Sequence, residues 1–232
     1  MFKFKNILLN GLGRQNSAML GEIQAVTLKQ RDVLYDVGDK IDYVYFMESA
    51  VGSIITMMQD GSAIEVAMTG FEGVVGVAAL LGENVSQQHV VIQLPGKAYR
   101  VKAATAKAEF ESNIAFRNHV LSFVEAFIEL GGQSAACNRL HQVEPRCARW
   151  LLMASDRTQS NVLPLTQDYL AVMVGVRRSG ISEVAANFQR LGYIRYKKGK
   201  IEILDRDGLE KVACECYHVN SDRVKRLIKK IA

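Results

Sequence analysis

The residues best equipped for chemistry lie in the back half of the chain. Lys197-Lys198-Gly199-Lys200 sets three ammonium groups around one glycine. Phosphate oxygens call for such donors, and dense cations gain from releasing condensed counterions. Arg177-Arg178 adds two adjacent guanidinium groups, suited to planar, bidentate hydrogen bonding. Four cysteines are present: Cys137, Cys147, Cys214 and Cys216. Cys214-Glu215-Cys216 has no second pair at a zinc-finger spacing, so the cysteines are read as reduced thiols at ordinary helix positions, with no metal ligand and no cofactor. On one helix, Cys214 and Cys216 would point about 200° apart. There is no Ser/His/Asp set, metal-ligand cluster or P-loop, so an enzyme is not expected.

Those cations need elements to present them. Thr166 is a good N-cap for a helix through Met173, and Asp168 suits the positive end of its dipole. Gly175 marks a turn, and Arg177 or Arg178 opens a second helix to about Leu191. Leu170, Val174, Val176, Ile181 and Phe188 are spaced to pack the two helices together. A short helix, a glycine turn and a second helix make a helix-turn-helix. Gly192 to Tyr196 and Ile201 to Leu204 then read as two strands around the lysine turn, a winged hairpin with Lys197, Lys198 and Lys200 at its tip. Asp205 or Asp207 is expected to cap a last helix continuing into the basic tail from Arg223 to Lys230.

The front of the chain has a different character. Short β-rich runs, at Val26–Leu28, Val33–Tyr35, Tyr43–Phe46, Ser53–Met57, Ala63–Met68, Val90–Leu94 and Ala98–Val101, are separated by turns. Asp60-Gly61 is a hairpin signal. Such spacing predicts a sandwich, barrel or jelly roll. Gly73 to Leu81 reads as a short helix or close-packed loop, and Ile7–Leu12 and Ser17–Ile23 as short helices. From Glu109 to Leu140 a proline-free helix is expected, with two apolar stripes. Phe116, Val120, Phe123, Phe127 and Leu130 form one. Ile114, Leu121, Val124, Ile128 and Ala135 form the other, and two stripes predict that one meets a partner helix, with Leu121, Val124 and Ile128 at the seam of a homodimer. Gly131-Gly132 interrupts the pattern, as a bend or a close approach of backbones.

Charge divides the chain in the same way. Residues 1–140 carry 12 Lys+Arg against 14 Asp+Glu, and residues 141–232 carry 17 against 10. A basic back half fits a polyanionic partner. No apolar run reaches the roughly 18 residues of a membrane span, and Met1-Phe2-Lys3-Phe4-Lys5 lacks the h-region of a secretory signal, so a cytoplasmic protein without a membrane partner is expected. The fold class is α+β. Residues 1–108 are expected to form a jelly-roll-like domain, 109–140 a dimerisation helix and 141–232 a winged helix-turn-helix.

In this order these residues resemble the Crp/Fnr family of bacterial transcription regulators. The closest matches are Gly38-Asp39, Tyr45-Phe46, Asp60-Gly61 with Glu65-Val66, Phe71-Glu72-Gly73-Val74-Val75-Gly76, and Thr166-Gln167-Asp168-Tyr169-Leu170 with Val174-Gly175-Val176-Arg177-Arg178. The resemblance implies a cyclic-nucleotide-binding-type β-roll and a homodimer on a two-fold symmetric operator in double-stranded DNA, with RNA polymerase as a further partner if the protein activates. It assigns Thr166, Gln167, Arg177, Arg178, Ser179, Ser182 and Glu183 to DNA along with the wing lysines. Arg178 falls where the catabolite-activator branch reads guanine with an arginine, a chemically apt bidentate contact. Ser179 falls where both the catabolite and the anaerobic branches carry a cytosine-reading glutamate, and Glu183 replaces an arginine of both, so a different half-site is expected.

The implied effector pocket departs further. Nucleotide-binding relatives hold the ribose with the carboxylate of a Gly-Glu pair and the phosphate with an arginine. The matching positions here are Gly73-Val74 and Gln87-Gln88, which supply neither charge. The iron–sulfur branch needs an N-terminal cysteine cluster, and the first cysteine here is Cys137. The effector is therefore unassigned, and the usual cyclic-AMP pocket is expected to be degenerate. Two alternatives are a cyclic-nucleotide sensor with altered contacts, with Arg100 or Arg117 as substitute cations, and an interaction module that does not bind DNA.

Overall fold

A short helix, α1 (Ile7–Leu12), starts where Asn6 accepts hydrogen bonds from the backbone N–H groups of Leu8 and Leu9 at 3.1 and 3.2 Å. The structure, a computed structural model, describes residues 4–13, 17–82 and 84–231, so Met1 to Lys3 of the expected start lie outside it, as does Glu83. A 3-10 turn over Ala18–Gly21 stands where a second short helix is expected. The strands follow as β1 (Gln24–Leu28), β2 (Val33–Tyr35), β3 (Tyr43–Met47), β4 (Val51–Met57), β5 (Ala63–Thr69) and β6 (Val74–Val75). After α2 (Ala78–Leu81) come β7 (His89–Leu94) and β8 (Gly96–Lys102). They form two antiparallel four-stranded sheets, in the orders β1-β8-β3-β6 and β2-β7-β4-β5. At the β4–β5 hairpin Gly61 takes φ +83°, and the Asp60 carboxylate accepts from the N–H and hydroxyl of Ser62. The stretch from Gly73 to Leu81 is only partly the expected helix. Val74 and Val75 pair with Phe46 and Tyr45 before α2 begins.

The long helix is two. After α3 (Ala103–Ser112), Asn113 takes an extended conformation and accepts from the N–H of Phe116, capping α4 (Ile114–Leu140). An asparagine with that capping preference breaks a run that periodicity alone reads as continuous. Phe116, Val120, Phe123 and Leu130 are buried, Phe127 packs on the same core, and α4 runs straight through Gly131-Gly132 as helix.

The back of the chain comprises α5 (Val143–Thr158), β9 (Val162–Leu163), α6 (Gln167–Val174), α7 (Arg178–Arg190), β10 (Ile194–Lys197), β11 (Lys200–Ile203), α8 (Arg206–Val212) and α9 (Cys216–Ile231). Pro145 is tolerated in α5 because the first-turn N–H groups have no helical acceptor. The single last helix expected after Asp205 is a pair. Asp205 caps α8 by accepting from the Gly208 N–H at 2.9 Å, and an extended Ala213 separates it from α9. Cys214 therefore precedes the helix that Cys216 begins.

Two apolar cores result. Val90 and Ile92 of β7 join Phe46, Phe116 and Val120 in the first, to which α9 adds Leu227 and Ile231. Val91 of β7, with Val51 and Ile55 of β4, faces Trp150, Leu151 and the helix-turn-helix in the second. The β2-β7-β4-β5 sheet is thus covered on both faces. Its outer face also buries Ser53, Glu65 and Gln93. The indole N–H of Trp150 donates to Glu65 at 3.0 Å, and the Ser53 hydroxyl lies 2.5 Å from Glu65 and 2.6 Å from the Gln93 carbonyl oxygen. A hydroxyl has one proton to give. With that proton on Gln93, Glu65 completes the chain by donating its own.

Burial pushes the Glu65 carboxyl up to about 7, against the opposing pull of Ser53, Trp150, Arg149 and Arg157. Because its pKa is higher folded than unfolded, the folded chain holds the extra proton between about pH 4.5 and 7. Stability from this group is therefore present at the acid end and lost as pH rises through that window. Glu65→Gln, which mimics the protonated acid, should match the wild type near pH 4.5 and exceed it by roughly 3 kcal/mol above pH 7 in urea unfolding. A difference that does not vary with pH would refute the buried neutral acid.

Candidate nucleic-acid interface

Thr166 accepts from the Tyr169 N–H at 3.2 Å to start α6, with Asp168 in the first turn. Gly175 at φ +69° makes the turn, and its N–H returns to the carbonyl of Val172. Arg177 is the N-cap residue of α7. Leu170, Val174, Ile181 and Phe188 are buried between the helices, leaving Arg177, Arg178, Ser179 and Glu183 exposed at the start of α7. Ser182 is half-buried, and its hydroxyl donates to the side-chain carbonyl of Gln167 at 2.8 Å. Arg178 Nε lies 3.2 Å from Asp168. The first turns of α6 and α7 are therefore cross-linked twice by side chains, which the one-dimensional pattern does not reveal.

The wing folds as expected, with Lys197 opposite Lys200 and the turn residues Lys198 and Gly199 at φ +50° and +72°. A third strand, β9, pairs with β11 and makes the hairpin a three-stranded sheet. Across the hairpin Arg195 reaches Glu202, while Lys197, Lys198 and Lys200 are exposed and meet no carboxylate among the described residues. The wing is held to α7 by Gln189, whose side-chain oxygen accepts from the Tyr196 N–H at 3.0 Å.

The matching positions in the β-roll are less uniform. A cavity of about 290 Å³ lies between the β-roll and α4, lined by Val74, Gln87 and Gln88 together with Tyr35, Phe123 and Phe127 among others. Gly73 is not among its walls. The Phe123 ring sits where a Gly73 side chain would begin, so that glycine serves close packing of α4 on the sheet. No charged side chain lines the cavity among the described residues. Arg100 is held elsewhere, stacked over Tyr43 at 4.4 Å and donating to Gln24, and Arg117 points to the carbonyl of Glu111.

Residues 145–212 match the family described as the Crp-like helix-turn-helix domain. The chain carries a Crp-like helix-turn-helix on a Crp/Fnr-type fold. Among curated proteins, a match at 39% identity over 61 residues is to the transcriptional regulator SdrP of Thermus thermophilus, covering 26% of this chain and 30% of the relative. Among solved structures, two examples align over most of the chain. FixK2 from Bradyrhizobium japonicum aligns with a TM-score of 0.69 at 12% identity, over 83% of this chain and 98% of its own. TTHB099, a transcriptional regulator of the CRP family from Thermus thermophilus, gives 0.69 at 17% identity, over 81% and 96%. At these identities the likeness is one of fold. No described helix is long and apolar enough to cross a membrane.

In the Crp-like domain, Gly175 also packs closely against the β-roll. A Cβ placed there would lie 2.4 Å from Ile64 Cδ1. Gly175→Ala should therefore lose roughly 1–2 kcal/mol for the left-handed conformation, plus the clash. Combined with Ile64→Ala, the two losses should sum to less than their separate values in urea unfolding. Strict additivity would show that the turn does not press on β5.

Proposed function

We propose that this chain is a sequence-specific, DNA-binding transcription regulator that works as a homodimer on a two-fold symmetric operator in the cytoplasm. The observation carrying this reading is the exposed start of α7. Arg177, Arg178, Ser179 and Glu183 stand clear of the fold, tied through Gln189 to a wing whose lysines have no protein partner among the described residues. An exposed helix start fits the major groove, where side chains read base edges, and unpaired lysines fit phosphates, which carry no sequence information. Thr166, Gln167 and Ser182 support this face from α6 and the inner side of α7. The Arg178–Asp168 pair is exposed, so exchanging it for guanine costs little. RNA polymerase is a further partner if the regulator activates.

The division into a sensor over 1–108, a dimerisation helix over 109–140 and a DNA-binding part over 141–232 belongs to the same reading. The uncharged walls of the sensor cavity suit a small apolar or neutral effector and disfavour a cyclic nucleotide held by the usual ion pairs. Phe123 and Phe127 would carry its presence to α4.

Selection of bound DNA from a random pool tests the core of the reading. Arg178→Ala should cost roughly 1–3 kcal/mol on the selected site and relax base preference there. Lys197→Ala should weaken all sequences alike and reduce the salt slope by about one. Lys197 is the better choice over Lys198, whose positive φ would add a backbone effect. Unchanged sequence preference in Arg178→Ala would remove α7 from the groove.

The outward stripe of α4 supplies the dimer seam. Ile114, Leu121 and Ile128 are exposed at 64%, 44% and 69%, whereas Val124 is partly packed on its own core. Leu121→Asp with Ile128→Asp should give monomers by sedimentation and weaken operator binding more than about tenfold, since one half-site is then left to bind alone. A dimer of unchanged mass would exclude this seam.

A further inference from the structure

Cys137, Cys214 and Cys216 lie in neither apolar core. They form a buried island of their own, made only of thiols. His141, one turn after Cys137 at the end of α4, completes the group. One donor atom from each of the four residues can be chosen so that all lie within 4.8 Å of one another. Cys137 and Cys214 bring their sulfurs to 3.5 Å, and Cys216 Sγ is 3.6 Å from His141 Nδ1. A tetrahedral ion with sulfur and nitrogen ligands spaces its donors at roughly 3.5–3.8 Å, given metal–ligand distances near 2.3 and 2.0–2.1 Å. A disulfide needs sulfurs at about 2.05 Å, far inside the observed separation.

We propose that Cys137, His141, Cys214 and Cys216 form a closed Cys3His site for a zinc ion. It joins the end of α4 to the junction between α8 and α9.

The surrounding groups support this assignment independently of the donors. His141 places its other ring nitrogen, Nε2, 3.1 Å from the Glu215 carboxylate. That contact holds the proton on Nε2 and leaves the Nδ1 lone pair facing the thiols, the usual outer-shell arrangement of a metal-bound histidine. The Gln133 side-chain amide donates to Cys216 Sγ at 3.0 Å, as expected around a thiolate ligand. The surrounding charge also favours a bound ion. Three thiolates, a neutral imidazole and a divalent ion leave one net negative charge. Arg146 and Arg149 are buried at 6% and 7% exposure, and neither meets a carboxylate among the described residues. Each leaves its Nε without a partner. A centre with one net negative charge offsets one of the two buried guanidinium charges, whereas three neutral thiols offset neither.

Three soft thiolates and one imidazole in a tetrahedron select zinc over hard cations, and four protein ligands leave no open position, so the ion is structural. Its place is at the joint, since α5 begins at Val143, two residues after His141. Arg146 extends the link by donating to Asn138 of α4 and to the Val174 carbonyl at the end of α6.

The test uses the untagged, full-length chain prepared under reducing conditions. Elemental analysis should find one zinc per chain. Exchange for Co2+ should give the thiolate-to-cobalt charge-transfer bands and intense visible bands of a tetrahedral sulfur-rich site, displaced by one equivalent of zinc. Cys137→Ser, Cys216→Ser and His141→Ala should each abolish or shift those bands, and Glu215→Gln should weaken binding about 10–100-fold. Cys147→Ser, outside the group, should keep them. If a ligand variant fails to fold, alkylation of the wild type decides. Three thiols should be protected by zinc and become reactive with chelator. A chain that takes up no cobalt, or whose metal survives Cys137→Ser in a folded protein, overturns the site.

Discussion

One buried ion pair fixes how the two halves of this molecule meet. Arg157, near the end of α5, donates from Nε to Glu72 at 2.7 Å, and both side chains are buried. Neither charge survives burial alone, so the loop between β5 and β6 and the end of α5 must come together. A pair like this adds little net stability compared with apolar residues of the same shape. Its effect here is on geometry. With α5 pinned at Glu72, Trp150 falls over Ser53 and Glu65, and Tyr169 comes within reach of Arg31. The helix-turn-helix inherits its position from that seating.

The long helix α4 serves two environments at once. Its inner stripe closes the first core and supplies Phe123 and Phe127 to the cavity beside the β-roll, while its outer stripe stays bare. The Phe123 ring occupies the space over Gly73, so any shift of α4 along the sheet meets the backbone of the turn before β6 directly. A ligand in the cavity and a neighbour on the outer stripe would act on the same rigid element, a physical requirement for coupling them.

Much of this was legible in the sequence where local rules agree with tertiary ones. The Asp60-Gly61 hairpin, the Thr166 cap, the left-handed Gly175 and the lysine turn of the wing are each decided within a few residues. Asn113 was legible in principle, but the apolar stripe runs across it and periodicity prevailed. What the pattern concealed was non-local. Val90-Val91-Ile92 is apolar without alternation because both faces of that sheet are covered, which marks a fully buried strand. Helix α5 is hidden in the sequence because its three arginines at 146, 149 and 157 disguise its burial. The placement of Cys214 and Cys216 on a single helix fails for a related reason. Placing Cys214 and Cys216 on one continuous helix sends them apart, and only the break at Ala213 turns both toward Cys137 and His141.

Helix α9 has a consequence for how the chain acquires its structure. Leu227 and Ile231 belong to the first core, beside Leu8, Leu12 and Phe116. That core closes only when segments more than two hundred positions apart have met. During synthesis the β-roll would emerge early yet remain unsealed along α1 and α4 until α9 arrives, leaving apolar surface open to chaperones or to self-association. Leu227 and Ile231 thus tie completion of the first core to the arrival of α9.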